Sequence, residues 1–456
     1  MQLRPYQDES VAKIREYMRQ GIKQILLTSP TGSGKTLETS HMLKTAAERG
    51  MSSWFVVHRR ELINQSTRAF DGEGVPHGII SANFESNRTA LIQIASVQTL
   101  VRRFHKYRVP NLIVWDECHH IAANSWSKIF AQFPNAYHIG LTATPERLDG
   151  TGLDKWFRAM VNGPSVSWLI ENGYLSPYKI YAPGEIDLSK VRTRMGDYVG
   201  SELTSIVDRP SITGDAIKHY KKLADGKRAV VFCASVAHSK HVVEQFKQAG
   251  VPAEHVDGET DTAERDMAIR RFRDGEIKVL SNVELFGEGF DVPCIEVAIL
   301  LRPTKSLGLY LQQVGRSLRP SPGKDHAIIL DHANNCREHG LPDDDRMWTL
   351  QGRDKKERKA PSGVRICPKC FGASRRGPTK CALCGHIFAV ESREVEQRDG
   401  ELSEVDTAAV RWKQHIEQGQ TRTLEGLIAL GKKRGYKNPY WWAQNVIKHR
   451  AEKMVR

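Results

Sequence analysis

Short apolar runs alternate with longer amphipathic stretches through the first three quarters of the chain. A first series of runs reads QILLTSP, SSWFVVHRR, TALIQIASVQT, NLIVWDECHH and YHIGLTAT, and a second reads RAVVFCAS, VPAEHVDG, IKVLSN, CIEVAILLR and HAIILDHA. Runs of this length between helical patterns are typical of parallel strands covered by helices on both faces. The pattern therefore predicts an α/β fold with two tandem domains.

After residue 341 the apolar runs stop and charged segments follow. Near the end of the chain, Asn438 is a good helix N-cap and Pro439 suits a first helical turn, so the apolar spacing predicts a helix from Pro439 to near Val455. The predicted segments are a first α/β domain (1–165), an inter-domain connection (166–205), a second α/β domain (206–342), a basic linker (343–363), a cysteine module (364–390), an acidic linker (391–406) and a basic helical C-terminal unit (407–456).

Composition agrees with several globular domains. A length of 456 residues predicts roughly two to four domains, and 40% apolar with 26% charged residues is typical of a soluble globular protein. No apolar run reaches the roughly 18 to 20 residues that span a bilayer, so we expect no membrane contact. The first residues, MQLRPYQDES, lack the basic and apolar regions of an export signal, so we expect a cytoplasmic protein.

Positive charge is concentrated near the C-terminus. The formal net charge is +14, and the segment from Gln351 to Arg456 has 23 Lys/Arg against 12 Asp/Glu, so +11 of the total lies there. A basic segment of this kind favours a polyanionic partner, most simply nucleic acid. A solvated basic surface that aids solubility has the same composition.

A glycine-rich loop follows the first predicted strand and precedes a predicted helix, in LLTSPTGSGKTLETS. In this context backbone N–H groups wrap phosphate oxygens, a lysine reaches the β- and γ-phosphates, and a hydroxyl binds Mg²⁺. Ser29 stands where the strict pattern has its first glycine, but the end that touches phosphate is complete. The predicted ATP and Mg²⁺ ligands in this loop are Gly32, Ser33, Gly34, Lys35 and Thr36.

Two adjacent acids end a later apolar strand, in NLIVWDECHH. A strand-terminal carboxylate beside a phosphate-binding loop is where Mg²⁺ needs a ligand, and a second acid can orient and deprotonate the attacking water. We therefore predict Asp116 as the metal-side ligand and Glu117 as the general base. Two acids at a strand end are commonly only a solvated turn, but the preceding loop argues against that here.

Four of the eight cysteines occupy eighteen residues in CPKCFGASRRGPTKCALC. Each CxxC pair can aim two thiolates inward, and two such pairs complete a tetrahedral site. Cys367, Cys370, Cys381 and Cys384 are therefore predicted Zn²⁺ ligands, with an iron centre or a redox pair as the alternatives. Zinc would also stabilise a segment that has little apolar core of its own.

Together these motifs give the chain a specific resemblance, because seven stretches in fixed order over residues 3 to 320 are similar to those of superfamily 2 helicases of the DEAD/DEAH-related kind. The stretches are RPYQ, SPTGSGKT, VVHRRELINQ, DECH, LTATP, GEGFDVP and QQVGRSLRP. The spellings DECHH, GLTATPERLDG and LYLQQVGRSLRP resemble most the RadD-like repair helicases and their phage-encoded relatives, which are close to type III restriction helicase subunits.

The resemblance implies two RecA-like domains with ATP between them and nucleic acid across their tops, in the cytoplasm of a bacterium or of a phage-infected host. The residue roles it implies are adenine recognition by Gln7 with Arg4, coupling by Thr142, Thr144 and Gln312, cleft contacts by Gly289 and Asp291, arginine fingers at Arg316 and Arg319, and strand contacts by Arg59, Arg60, Ser96, Gln98 and Thr99. Loop residues that only cap helices are the other interpretation of the strand contacts.

Further nucleic-acid contacts are predicted near the C-terminus, where cations stand beside aromatic rings. They are Arg375 and Arg376 between the cysteine pairs, and Lys432, Lys433, Arg434, Lys437 and Trp441 in GKKRGYKNPYWW. A purely architectural cysteine module and a tryptophan in the core of a small helical unit are the alternatives.

The predicted function is that of an ATP-dependent helicase or translocase acting on DNA, especially branched, forked or damaged DNA. An RNA-directed motor is one alternative, because these motifs grip the backbone and distinguish the sugar poorly. A repair or recombination adaptor is the other, in which the ATPase is a switch and the cysteine module or C-terminal unit docks a repair or replication protein.

Overall fold

The computed structural model describes most of the chain. The described residues are 2–58, 60–82, 84–85, 87–147, 150–182, 188, 191–194, 197–208, 210–283, 294–352, 363–388, 417–418, 420–421, 423–436 and 438–454. They form parts of two compact units, Met1–Ala389 and Val390–Arg456. Within the described ranges, every helix is too short or too polar to cross a membrane.

The first domain is a seven-stranded parallel sheet with strand order β3-β4-β2-β5-β6-β1-β7. Its strands are β1 (Gln24–Thr28), β2 (Ser53–Val57), β3 (Gly78–Ile80), β4 (Ile92–Ser96), β5 (Leu112–Trp115), β6 (Tyr137–Thr142) and β7 (Ala159–Asn162). Its helices are α1 (Pro5–Arg19), α2 (Lys35–Glu48), α3 (Arg60–Gly72), α4 (Val97–Arg103) and α5 (Asn124–Gln132).

Helices cover both faces of this sheet because neighbouring strand residues point to opposite sides. Phe55 packs with Leu43 and Ile63 of α2 and α3 on one face. Trp54 packs with Leu100 and Ile129 of α4 and α5 on the other. The strands are therefore apolar at successive positions, which explains the continuous apolar runs in the sequence.

The second domain has a six-stranded parallel sheet, in the order β12-β13-β11-β14-β15-β8. Its strands are β8 (Tyr178–Tyr181), β11 (Ala229–Phe232), β12 (Ala253–Val256), β13 (Val279–Asn282), β14 (Val297–Leu300) and β15 (Ala327–Asp331). A separate antiparallel pair is β9 (Thr193–Arg194) with β10 (Asp197–Tyr198). The helices are α6 (Val166–Glu171), α7 (Gly200–Val207), α8 (Pro210–Ala224), α9 (Val236–Gln248), α10 (Thr262–Asp274), α11 (Leu307–Ser317) and α12 (Asn335–His339).

The second sheet begins earlier in the chain than the predicted bound at residue 206. β8 lies within the predicted connection 166–205, yet it pairs in parallel with β15 at the sheet edge. Ile180 is buried in this strand while Lys179 is exposed, which is typical of an edge strand with one covered face. Only four residues long, the strand has too few apolar positions to be recognised from the pattern.

Residues 341–352, which we call the strap, return from the second domain to the first. Trp348 packs against the core of the second domain, and Leu350 packs against that of the first. The N–H groups of Leu153 and Asp154 donate to the Leu350 carbonyl at 2.7 and 3.0 Å. The described part of the predicted basic linker 343–363 is therefore bound to both domains.

The cysteine module packs against the edge strand of the second domain. Its hairpin consists of β16 (Val364–Ile366) and β17 (Ala373–Arg375) in antiparallel pairing. The Ala182 N–H donates to the Phe371 carbonyl at 2.9 Å, and Val364 and Ala373 join the apolar core of the second domain.

The second compact unit contains the helices α13 (Leu424–Lys433) and α14 (Pro439–Met454). Leu427, Leu430 and Ala443 are buried between them. The Trp441 N–H donates to the Asn438 side chain at 3.1 Å, so Asn438 caps α14 as the sequence predicts. Two tandem parallel-sheet domains, a cysteine module and terminal helices confirm the predicted fold class.

Candidate active site

The phosphate loop, residues 29–36, connects β1 to α2 in the first domain. Gly32 and Gly34 have φ of 90° and 91°, a left-handed conformation that disfavours other residues. The Lys35 ammonium donates to the Ser29 carbonyl at 2.8 Å and to the Pro30 carbonyl at 3.3 Å. Thr36 lies in the first turn of α2, where N–H groups have no partner within the helix. The loop therefore offers a cation, a hydroxyl and backbone donors at one helix end.

Ser29, the departure from the strict glycine pattern, is accommodated by the local geometry. Its backbone lies outside the left-handed region, so no glycine is required there. Its hydroxyl donates to the Ser33 hydroxyl at 2.7 Å, which ties the two sides of the loop together. A Cβ at Gly163 would lie 2.9 Å from the Ser29 Oγ, so the next loop packs tightly on this side chain.

Asp116 and Glu117 follow β5, which is separated from β1 by the single strand β6. Burial, together with the charge of Glu117, raises the pKa of Asp116 to about 7. Burial lowers the pKa of Lys35, while Glu117, Asp116 and Glu38 favour its charged form. The two acids and the loop lysine therefore lie within one electrostatic site.

A series of neighbouring side chains leads from Glu117 toward the second domain. The Glu117 carboxylate lies 3.4 Å from His119 Nδ1, which is 3.3 Å from the Thr142 hydroxyl. That hydroxyl donates to the Thr144 carbonyl at 2.8 Å. A Cβ at Gly308, at the start of α11, would lie 2.9 Å from the Thr144 Oγ1. The predicted coupling residues Thr142 and Thr144 are thus placed between an acid of the first domain and a helix of the second.

Two arginines of the second domain lie against the phosphate loop. Arg316 is buried and close enough to Lys35 for its charge to add to the larger effect of burial in lowering the Lys35 pKa. A Cβ at Gly32 would lie 3.4 Å from the Arg319 Cγ. Burial lowers the pKa of Arg319 to about 10. The structure therefore brings both predicted arginine fingers to the loop; Gln312, one turn earlier in α11, is buried.

The predicted adenine residues lie on α1, beside the same loop. Gln7 is fully buried, and its amide donates to the Ser33 and Gly34 carbonyls at 3.1 and 3.3 Å. Its carbonyl accepts from the Arg4 N–H at 2.9 Å. The Arg4 side chain donates to the Tyr6 hydroxyl at 3.0 Å and stacks over Tyr174 of the second domain. Both residues are thus part of the loop's surroundings.

Three of the predicted strand contacts lie where β4 ends. The Ser96 hydroxyl donates to the Gln98 side chain at 2.7 Å, and the Gln98 amide donates to the His58 carbonyl at 2.9 Å. Thr99 follows within α4. Arg60 begins α3 beside this edge. Among the other predicted site residues, Arg59, Gly289, Asp291 and Lys437 lie outside the described residues.

The four predicted metal-ligating cysteines converge. Their Sγ atoms all lie within 4.8 Å of one another. Cys367 and Cys384 are separated by 3.6 Å, and Cys370 and Cys381 by 3.7 Å, between their sulfur atoms. These separations exceed the roughly 2.05 Å of a disulfide and match four thiolates around one ion, for which Zn–S bonds of about 2.3 Å give about 3.8 Å between sulfurs. The cluster is therefore compatible with a tetrahedral metal ion.

The predicted basic contacts near the C-terminus separate into two groups. Arg375 pairs with Asp343 and Asp344 at 3.1 Å each, and Arg434 pairs with Glu417 at 3.1 Å, so both are held by acids of their own unit. Arg376 and Lys432 are exposed. Lys433 is exposed although it contacts Glu417. Trp441 is 64% exposed, whereas Trp442 packs on Gly431 and Tyr436.

Two residues of this site were missed by sequence reasoning. His119, within the DECH motif, has no predicted role, but its Nδ1 lies 3.4 Å from the Glu117 carboxylate and 3.3 Å from the Thr142 hydroxyl. Glu38 was not selected, because a glutamate one turn into a helix is ordinary; only its burial sets it apart. The spacing of three residues from Lys35 was the available signal.

A glycine loop at a helix N-terminus, two carboxylates after a strand and two arginines from the second domain together define a P-loop ATPase with two RecA-like domains. Comparison with known proteins agrees. Residues 1–147 match the family described as type III restriction enzyme, res subunit, and residues 213–321 match the helicase conserved C-terminal domain.

Two relatives and one solved structure illustrate the similarity. A 51.5 kDa protein of Lactococcus phage (isolate 7-9) is 38% identical over 392 residues, which cover 85% of this chain and 84% of the phage protein. A Saccharomyces cerevisiae protein named as an ATP-dependent helicase, IRC3, is 32% identical over 354 residues, which cover 72% of this chain but 51% of that protein. An HsdR-subunit fragment of a type I restriction enzyme from Vibrio vulnificus has a TM-score of 0.58 at 23% identity, covering 74% of this chain and 65% of that one.

The chain therefore belongs to the superfamily 2 helicases, ATP-hydrolysing enzymes, and is related to type III restriction helicase subunits. This confirms the family that the seven motifs predict. The nearer resemblance to RadD-like repair helicases stays a prediction.

Proposed function

We propose that this protein is an ATP-driven motor that moves along DNA. The observation that carries the proposal is the position of Arg316 and Arg319, which reach from the second domain to the phosphate loop of the first. Guanidinium groups in this place neutralise charge on the transferring phosphoryl group only while the two domains are together. Hydrolysis is thereby linked to the separation of the domains, which is the movement that a translocase needs.

Within the first domain, each residue has a distinct task in this proposal. Lys35 and the loop N–H groups hold the β- and γ-phosphates, and Thr36 with Asp116 holds Mg²⁺, which supplies charge neutralisation when bound. Glu117 orients and deprotonates the attacking water. His119 Nδ1 lies 3.4 Å from this carboxylate. Gln7 with Arg4 recognises adenine next to the loop. The resemblance to the helicase family also assigns cleft contacts to Gly289 and Asp291, which lie outside the described residues.

The nucleic-acid track is proposed along the strand ends of the first sheet. The proposed contacts are Arg59, Arg60, Ser96, Gln98 and Thr99. Ser96 ends β4, Gln98 and Thr99 follow it in α4, and Arg60 begins the helix after β2, the strand next to β4 in the sheet. Arg59 lies outside the described residues. Short hydroxyl and amide side chains with nearby cations hold phosphates without reading bases. The match to a restriction-enzyme family favours DNA over RNA.

ATP turnover measured with single-stranded DNA, forked DNA and RNA tests this proposal. We expect the greatest stimulation by DNA, and more by forked than by single-stranded DNA. Lys35→Ala, which removes the loop cation, is the control for contaminating ATPase. Strongest stimulation by RNA would make the protein an RNA-directed motor instead.

We also propose that the cysteine module holds Zn²⁺ and that the C-terminal unit contacts the DNA. The sulfur separations of 3.6 and 3.7 Å support zinc. The exposed Trp441 ring, in the same compact unit as the exposed Lys432 and Lys433, supports stacking on a base with phosphates on the cations. Because Arg375 and Arg434 already pair with acids, we assign them a structural part in preference to DNA contact. A protein partner for this region and a cytoplasmic location stay predictions.

A further inference from the structure

Glu38 is a buried carboxyl group that the proposed mechanism does not use. It lies in the first turns of α2, three residues after Lys35, and only 1% of its surface is exposed. Neither carboxylate oxygen has a hydrogen-bond partner among the described residues. Two polar groups that its charge affects donate elsewhere: Lys35 to the Ser29 and Pro30 carbonyls, and the Tyr6 hydroxyl to the Ser33 carbonyl.

A buried carboxyl group with a structural role normally has its partners supplied by the fold. Asp331, equally buried at the end of β15, shows this in the same molecule. It accepts backbone N–H groups from Ala333, Asn335 and Cys336 at 3.3, 3.1 and 2.7 Å. Glu38 has no such set, although leaving a buried polar group unpaired costs stability. Its partner is therefore to be sought outside the protein.

The surroundings of Glu38 show which part of a ligand it faces. It lies one turn beyond Lys35 in α2, and its charge raises the pKa of both Lys35 and the Tyr6 hydroxyl. Tyr6 and Gln7 in turn contact the loop at the Ser33 and Gly34 carbonyls. Lys35 belongs to the phosphate end of the site, whereas Tyr6 lies on α1 between Arg4 and Gln7. Glu38 therefore stands between the phosphate end and the base end of the nucleotide.

A carboxyl group at this junction selects among the groups of ATP by chemistry. Burial raises the pKa of Glu38 to about 8, so the group ionises where a cation or a hydrogen-bond donor favours its charge, and in that form the anionic phosphate oxygens repel it. The hydrogen-bond donors of ATP are the two ribose hydroxyls and the 6-amino group of adenine. We propose that Glu38 is a specificity-determining residue that accepts a hydrogen bond from one of these nucleoside donors. The inference rests on the proposed ATP-driven motor and names a further contact of the same site.

Nucleotide analogues that lack one donor each, used with Glu38 variants, test the inference. The analogues are 2′-deoxy-ATP, 3′-deoxy-ATP and inosine triphosphate, which has an oxygen in place of the 6-amino group. KM and kcat are measured for each with the full-length wild type, Glu38→Gln and Glu38→Met. We expect the wild type to discriminate against one analogue by about 10- to 100-fold in kcat/KM, as for a hydrogen bond to a charged group. Glu38→Met should lose that discrimination, and Glu38→Gln, which keeps a neutral acceptor, should be intermediate.

The unfolding temperature gives a second readout. If Glu38 had a structural role, Glu38→Met would lower it. Replacing an unpartnered buried carboxyl group by an apolar side chain of similar length is neutral or stabilising. Glu38→Met should therefore keep or raise the unfolding temperature of the nucleotide-free protein. Glu48→Gln, an exposed glutamate at the end of the same helix, is the matched control and should change neither readout.

Two results would overturn the inference. One is a wild type that uses all three analogues as well as ATP, or a Glu38→Gln variant with unchanged discrimination. The other is a marked fall in the unfolding temperature of Glu38→Met, which would assign Glu38 to the fold. If the wild type hydrolyses no ATP at all, the proposed motor fails instead, so the two failures are distinguishable.

Discussion

Glu117 carries the clearest prediction at the scale of single residues. It lies two residues after β5 in a left-handed backbone conformation, with φ of 47°, and its carboxylate lies 3.4 Å from His119 Nδ1. If Glu117 is the general base, Glu117→Gln keeps the shape and removes the proton acceptor. We expect kcat for ATP to fall by about 10²- to 10⁴-fold while the affinity for ATP changes only a few-fold.

Steady-state ATPase assays and a fluorescent-nucleotide titration check this expectation. Lys35→Ala serves as the contrast, since removing the loop cation should weaken nucleotide binding itself. A Glu117→Gln variant with more than a tenth of wild-type turnover would show that another group activates the water.

His138 gives a pH dependence of stability. Burial lowers its pKa to about 4, although the Phe133 carbonyl, 2.9 Å from Nε2, acts in the opposite direction. The other ring nitrogen, Nδ1, accepts from the Trp115 indole N–H at 3.2 Å. The unfolded chain, with an ordinary histidine pKa near 6.5, takes up this proton at higher pH than the folded one. The stabilisation is therefore complete above about pH 6.5 and is lost as pH falls toward 4.

Urea unfolding at pH 7.5 and pH 4.5 measures this effect. We expect the wild type to lose about 1–3 kcal/mol more than His138→Gln between these values, since glutamine can donate and accept at the same places without titrating. Equal losses in the two proteins would contradict a buried neutral His138.

At the scale of elements, the contact between α11 and the phosphate loop leaves no room for a larger side chain at Gly315. A Cβ at Gly315 would lie 2.7 Å from the Thr31 Cβ, so Gly315→Ala forces the helix or the loop to move. Arg316 is the next residue and moves with the helix. We expect kcat to fall by about 10- to 100-fold, because small misplacements of a catalytic group are costly.

Gly72→Ala, at the end of α3, is the control, because a Cβ there meets nothing within 4 Å. ATPase rates and unfolding temperatures of both variants are compared. If Gly315→Ala turns over ATP at the wild-type rate, the close approach of the two domains is not needed for hydrolysis.

Most elements around the nucleotide site could be predicted from the sequence, for a physical reason. The central strands of both sheets are buried on both faces, so each is a continuous apolar run that the pattern shows directly. β8 is an edge strand with one covered face, and its short alternation is not distinctive. The strap was predicted as a linker because it is held by backbone hydrogen bonds to Leu350 and by two isolated apolar side chains, Trp348 and Leu350, which form no periodic pattern.

At the scale of the whole molecule, the sequence predicts well which residues come together at the nucleotide site. It predicts less well which basic side chains pair with acids in the folded protein. The phosphate loop, the acids and the arginines come together because each stands at a fixed place relative to a strand or helix end. Arg375 and Arg434 were predicted to contact nucleic acid because charge and spacing alone are visible in a sequence. Their acidic partners, Asp344 and Glu417, are distant in the chain and are brought near only by folding.

The cysteine module and the strap give the last prediction, because Arg375 connects them. Arg375 is the last residue of the hairpin strand β17, and it pairs with Asp343 and Asp344 of the strap. If zinc fixes the hairpin, its removal should release these ion pairs and loosen the strap. We expect one zinc per chain by elemental analysis, none in Cys381→Ser, and faster tryptic cleavage at Arg346 in that variant.

Arg375→Ala separates the metal from the ion pairs. It should retain the zinc yet still be cleaved at Arg346 faster than the wild type, though less fast than Cys381→Ser, because the hairpin itself stays folded. Cleavage at the wild-type rate in zinc-free protein would mean that the strap is held by Trp348 and Leu350 alone. If the wild type contains no bound metal, zinc does not stabilise this module.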